Sequence, residues 1–161
     1  MKKNQKGFSL IELLIVVVII GIIAAIAIPN LLASRRAANE GAAVSTMRTL
    51  TGAQATFQST SPTGDFGALT DLTTAGLIDN VLGSGAKSGY TFTVTPLAKT
   101  TTAPARFDAG SVPQQFGGIG ATGTRSFYTN ESGVIYFQAD AAAPTADGTT
   151  RAVSPNTPLN Q

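Results

Sequence analysis

Hydrophobic and polar positions are spread unevenly along the 161 residues. From Leu13 to Ile28 no residue is polar, Leu31 and Leu32 carry the apolar character past Pro29 and Asn30, and the first charge after Glu12 is Arg35. That is the length of apolar helix needed to cross a hydrocarbon core of about 30 Å. Beyond it the pattern changes: Ala43, Met47, Leu50, Ala53 and Phe57 recur at helical spacing. Residues 8–57 therefore predict one helix of about 75 Å. Its first half is apolar all round, as lipid or an oligomer core requires. Its second half carries a stripe that predicts packing on a head domain, with Met47, Leu50 and Phe57 against Tyr90, Phe92 and Val94.

The remainder alternates more finely. Residues 59–67 read as a loop on their Ser-Pro, Gly and Asp turn signals. Residues 68–82 carry a weak helical pattern in Leu69, Leu72, Leu77, Ile78 and Leu82, ended by Gly83-Ser84-Gly85. Residues 90–95 alternate apolar residues with threonine, the clearest strand signal in the chain, and Pro96 is expected to close it. Residues 105–108 are its expected partner, 109–124 a glycine-rich loop, and 126–129 with 134–138 a hairpin around Asn130-Glu131-Ser132-Gly133. From residue 139 the chain is rich in Ala, Pro, Thr and Asn without periodicity, and a poorly ordered tail is expected. The fold class that follows is α+β: a long N-terminal helix packed on a small antiparallel sheet. The segments are 1–7, 8–32, 33–58, 59–138 and 139–161.

Composition narrows the chemistry. There is neither cysteine nor histidine, so a disulfide framework, thiol catalysis and the commonest general base and metal ligand are missing. The formal charge of +2 owes much to Lys2, Lys3 and Lys6; without them eight basic residues face nine acidic ones, which gives no support to nucleic-acid binding. The head's acids, Asp65, Asp71, Asp79, Asp108, Glu131, Asp140 and Asp147, are scattered without metal or acid/base spacing and read mainly as solvated surface charge. No catalytic residue, metal site or cofactor is expected. Asn130-Glu131-Ser132 fits a glycosylation sequon, but its position in a tight hairpin favours turn chemistry. Arg35 and Arg36 read as interfacial snorkelling residues or as contacts to a neighbouring subunit, and Arg36 can pair with Glu40 four residues on.

Two features remain at the front. Residues 1–7 are short and basic, which predicts a cytoplasmic N-terminus; by topology alone they fit an uncleaved signal anchor. Glu12 stands just inside the apolar run, where an ionisable group costs on the order of 3 kcal/mol at mid-bilayer and must neutralise or find a partner. Gly21 and Pro29 weaken the helix, Pro29 by leaving the residue-25 carbonyl without its donor.

The stretch KGFSLIELLIVVVIIGIIAAIAIPN resembles the class III leader and N-terminal helix of type IV pilins and type II secretion pseudopilins, specifically over residues 6–32 and more loosely to residue 58. The resemblance implies cleavage by a prepilin peptidase between Gly7 and Phe8 and N-methylation of Phe8. It implies that Glu12, at the fifth mature position, pairs with the Phe8 amine of an adjacent subunit, and that the chain from Gly21 to Pro29 loses helical order within a filament. The partners it implies are further copies of this chain in a helical filament, the peptidase, the inner-membrane pilus or secretion machinery, and membrane lipid before assembly. The family's usual C-terminal cysteine pair is absent. The expectation is a structural prepilin, not an enzyme. It would be anchored by a single pass in the inner membrane with the head periplasmic, then move to a surface pilus. The alternatives are a type II secretion pseudopilin in a periplasmic pseudopilus, and a membrane-anchored binding domain that never polymerises.

Overall fold

The computed structural model describes residues 7–159. They fall into two compact units, with the boundary between Ser34 and Arg35. One helix, α1 (Leu10–Thr60), runs through both and is unbroken at Gly21 and Pro29. It ends where Ser61-Pro62-Thr63-Gly64 removes helical donors and supplies a turn, the last α-type bond running from Ser61 N–H to the Phe57 carbonyl at 2.8 Å.

In the first unit every large apolar side chain from Phe8 to Leu31 is exposed. The helix there is long and apolar enough to cross a membrane, and none of it is covered by the rest of the chain.

The second unit, the head, is built on the amphipathic half of α1. Ala43, Met47 and Leu50 are wholly buried, with Ala53 beside them. They share one core with Tyr90, Phe92, Phe107, Ala109 and Phe127. Phe57 and Val94 pack on that core but are only half-buried. The expected stripe is therefore the packing face, and its last residue lies at the rim. Gln54, also fully buried, extends the face in a polar way: its amide donates to the Gly67 carbonyl at 2.6 Å and accepts from the Gly67 N–H at 3.0 Å. A single side chain thus holds the 61–67 connection against the helix.

Two short helices follow, α2 (Leu69–Thr74) and α3 (Asn80–Gly83), where one weak helix over 68–82 was expected. The break is at Gly76, whose φ of 70° suits glycine. There the N–H of Leu77 returns to the Leu72 carbonyl and that of Gly76 to Thr73, a closed helix C-terminus. Asp79 then starts α3 by accepting from Leu82 N–H at 2.6 Å.

The main sheet has the order β1 (Ala86–Lys87), β2 (Tyr90–Leu97), β3 (Arg106–Pro113), β4 (Ser126–Asn130), β5 (Tyr136–Gln138), with all neighbours antiparallel. The α+β class expected from the pattern is the one observed. The strand limits differ from the expected ones, most in β2 and β3. Strand β2 passes through Pro96 to Leu97, with Pro96 opposite Phe107. A proline fits a strand where its nitrogen faces an open edge, and β1 covers only Tyr90 and Thr91 on that side. Strand β3 takes in residues 109–113, part of the stretch expected as loop: Ala109 and Ser111 are fully buried, so small residues read as loop are buried strand positions. The segment after Gln138 is also not featureless. It forms a second sheet from β6 (Thr145–Ala146) and β7 (Val153–Ser154). Its end then returns along β5, with Phe137 N–H bonded to the Thr157 carbonyl and Leu159 N–H to that of Ile135.

Candidate functional site

The chain enters α1 through Gly7, Phe8 and Ser9, all exposed and non-helical. A side chain added at Gly7 would meet nothing within 4 Å. Phe8 is 81% exposed. The peptide between Gly7 and Phe8 thus lies in exposed, non-helical chain just before the first helical turn. The basic residues Lys2, Lys3 and Lys6, and the rest of the expected leader before Gly7, lie outside the described residues.

Ser9 is the residue before the first helical one. Its carbonyl accepts from Leu13 N–H at 3.3 Å, and Glu12 Oε2 accepts the Ser9 N–H at 2.8 Å. Glu12 therefore has a partner within its own chain: it satisfies one of the orphan donors at the helix start and sits where the helix dipole favours a negative charge. Ser9-Leu10-Ile11-Glu12 is the S-x-x-E pattern of a helix N-terminus, a signal present in the sequence and not used in the reading above. The same carboxylate has a second oxygen with no partner among the described residues.

Further along α1, Glu40 is buried and does not pair with Arg36, as the i, i+4 spacing suggested. Its Oε1 accepts from Thr124 N–H at 2.8 Å and Thr124 Oγ1 at 2.7 Å, and its Oε2 from Arg125 Nε at 2.8 Å. Burial pushes this carboxyl up. The three donors from Thr124 and Arg125 outweigh that and hold it below the usual carboxylate range. Beside it Asn39 Nδ2 donates to the Thr122 carbonyl at 2.9 Å. Two adjacent helix residues thereby fix the return limb of the 114–125 segment.

Most of the head's other acids are exposed, as expected of surface charge, and several also fasten local structure. Asp65 accepts from Lys99 N–H, Asp71 from Ala68 N–H, and Asp147 from Thr149 and Thr150. Asp108 and Glu131 converge on Arg151, whose Nη2 lies 2.7 Å from each. Tyr128 Oη also donates to Asp108, and Arg151 reaches the Phe107 carbonyl at 3.1 Å. Burial acts against the Glu131 charge, but the Arg151 bonds prevail and lower its pKa. No group of His, Cys, Asp or Glu among the described residues could hold a metal ion. Asn130 is buried, and its Oδ1 accepts from Ser132 N–H at 3.0 Å and Ser132 Oγ at 2.7 Å, so the sequon residues make a turn.

The polar side chains of the head described above fasten local structure, and the motif that known proteins share lies in the amino-terminal segment. Residues 2–28 match the family described as the prokaryotic N-terminal methylation motif. Over 38 residues, 24% of this chain and 29% of the relative, the chain is 66% identical to the type IV wide pilus major component PilA4 of Thermus thermophilus. It is 77% identical over 30 residues, 19% of each chain, to the type IV major fimbrial protein FimA of Dichelobacter nodosus. It is 40% identical over 45 residues, 28% of this chain and 29% of the relative, to the type II secretion system core protein G of Dickeya chrysanthemi. The matches span under a third of those relatives' length. No solved structure matches the chain significantly. The chain carries the prokaryotic N-terminal methylation motif, and its amino-terminal segment is similar to those of type IV pilus subunits and of a type II secretion core protein.

Proposed function

We propose that the chain is a prepilin, cut between Gly7 and Phe8 by a prepilin peptidase, N-methylated at Phe8, and polymerised from the inner membrane into the helical filament of a type IV pilus. One observation carries this reading: an apolar helix bearing the methylation motif leaves every large side chain from Phe8 to Leu31 uncovered. Such a surface is stable in lipid before assembly and in a bundle of like helices after it. The single pass, with the N-terminus cytoplasmic and the head periplasmic, follows from the basic residues before the run. The protein is a substrate of the processing machinery rather than an enzyme.

Glu12 supplies the register. After cleavage the Phe8 amine of a neighbouring copy is a cation among apolar side chains. At about 4 Å and an effective dielectric near 20 its attraction to a carboxylate is about 4 kcal/mol before desolvation. Glu12 bonds Ser9 N–H through one oxygen, so the other is available to an incoming subunit while the first keeps the side chain oriented. A staggered stack would pair every such charge except the terminal ones. Gly21 and Pro29 are where the helix would loosen during packing.

The likeness to core protein G supports a second reading, a pseudopilin in a periplasmic filament. Deletion separates the two: loss of long surface fibres in electron microscopy supports the pilin, and a secretion defect with surface fibres intact supports the pseudopilin. Glu12→Leu and Glu12→Gln test the mechanism. Both should leave processed protein in the membrane, beginning at Phe8 by N-terminal sequencing, and lower the ratio of sheared filament to membrane pool. An amine buried without its counter-charge costs about 3–5 kcal/mol. Normal filament yield from both variants rules out the charge pair. Membrane-bound monomer in the wild type would mean a plain anchor.

A further inference from the structure

Alternation along β2 and β3 divides their side chains between two faces. Phe92, Phe107 and Ala109 go to the core. Thr93 and Thr95 on β2, and Asp108, Gly110 and Val112 on β3, go to the other face. The register sets them in rows: Thr95 stands opposite Asp108, and Thr93 opposite Gly110, which in turn stands opposite Tyr128 on β4. Residues 143–146 wall them in, and a groove of about 480 Å³ lies between. That is the size of a small-molecule site.

Its lining leaves hydrogen-bonding groups open. Thr93 and Thr95 are exposed, and their hydroxyls make no hydrogen bond among the described residues. Asp108 Oδ1 accepts from Tyr128 Oη and Arg151 Nη2, while its Oδ2 has no partner among the described residues. Gly110 occupies a strand interior, where glycine weakens the strand and often marks the close approach of a ligand or another backbone. A Cβ there would lie 3.3 Å from Thr93 Oγ1 and 3.5 Å from the Ala143 Cβ, so the surrounding packing would admit alanine with a small shift. What the glycine keeps is an open floor. Val112, Ala143, Pro144 and Ala146 add apolar surface around it. The polar groups are spaced for a small ring: neighbouring strands lie about 4.8 Å apart, and Thr93 and Thr95 about 6.5 Å apart along β2.

We propose that this groove binds a neutral saccharide of one or two rings. A sugar ring carries hydroxyls at its edge and an apolar C–H face, which matches two hydroxyls and a carboxylate oxygen set around a small apolar floor. The charges select against other ligands. No lysine or arginine is among the described residues that line the groove, so an anion meets no counter-charge. Asp108 already has Arg151 Nη2 at 2.7 Å, so its charge does not call for a cation. A sugar hydroxyl donates to Asp108 Oδ2, a charge-assisted bond, and others exchange bonds with Thr93 and Thr95. The site lies within the head and is independent of what becomes of the apolar run.

The test is saturation-transfer NMR and titration calorimetry on the full chain in phospholipid nanodiscs, which avoid sugar-headed detergents. The probes are glucose, galactose, N-acetylglucosamine and maltose, with spermidine as a cationic comparison. Saturable binding of at least one sugar is expected. Thr93→Val and Thr95→Val keep the side-chain shape, and each should weaken binding about two- to tenfold, the worth of one hydrogen bond. Gly110→Val should abolish binding by filling the floor, with the melting temperature unchanged. Thr49→Val, at an exposed position on α1, should leave it intact. If Gly110→Val does not fold, the double variant of Thr93→Val with Thr95→Val decides in its place and should lose binding. Absence of saturable binding for all the sugars overturns the inference. Sugar binding that survives Gly110→Val or the double threonine variant overturns it by placing the sugar elsewhere. Binding of spermidine alone overturns it in favour of a cation site.

Discussion

Glu12 and Glu40 are both carboxylates on α1, and their surroundings assign them different work. Glu12 accepts one backbone bond at an exposed helix start, and its other oxygen has no partner among the described residues. Glu40 spends both oxygens inside the head. Because its pKa is lowered on folding, its contribution is complete above the unfolded value of about 4.5 and is lost as pH falls through the lower folded value. Glu131 has the same sign. The head should therefore hold a stability plateau above about pH 4.5 and weaken below it. Replacing Glu40 by Gln should lower the plateau by about 2 kcal/mol, since bonds to a charged acceptor are lost, and make the acid decline shallower. Denaturant melts between pH 3 and pH 7 check both; an unchanged acid slope would remove Glu40 from the account.

Among the elements, the C-terminal sheet of β6 and β7 is the least expected. It has little apolar area of its own, and Arg151 holds it. Its guanidinium is forked onto Glu131 through Nε and Nη2 at 2.8 and 2.7 Å, and onto Asp108 on β3. In a chain without cysteine this ion cluster ties the tail to the sheet. Arg151→Met should leave two part-buried carboxylates facing each other and cost about 2–3 kcal/mol, read as faster amide exchange over residues 145–159 than in the rest of the head. Arg151→Lys should rescue little, because an ammonium cannot supply the planar fork. Uniform loosening of the whole head in Arg151→Met would instead make the cluster part of the main core.

For the whole molecule, the division falls between Ser34 and Arg35. The part before it is apolar, exposed and long enough to cross a membrane. The part after it has its own core in Met47, Leu50, Tyr90, Phe92, Phe107 and Phe127. A chain beginning at Arg35 should be soluble, monomeric and cooperatively folded, whereas the full chain should require detergent or membrane. Sedimentation and thermal melting of the shortened chain are the measurements. Aggregation would mean the head depends on the segment removed.

What the linear pattern determines is local and periodic. The apolar run, the amphipathic half of α1, the alternation in β2 and the Ser9-to-Glu12 start signal are all set by residues within a few positions of one another, so their geometry is written in the spacing. The methylation-motif segment is legible for the same reason. What only the tertiary structure decides are the pairings across 80 or more residues: Glu40 with Thr124 and Arg125, and Asn39 with Thr122. The shorter-range joins of Gln54 to Gly67 and Arg151 to Asp108 were equally silent. A polar side chain carries no sign of which distant partner it will meet. That partner is chosen by the packing of α1 on the sheet, which buries the side chain and obliges it to find one. The stretch from Ala109 to Pro113 became part of β3 through its pairing with β2 and β4, partners that lie far off in the sequence.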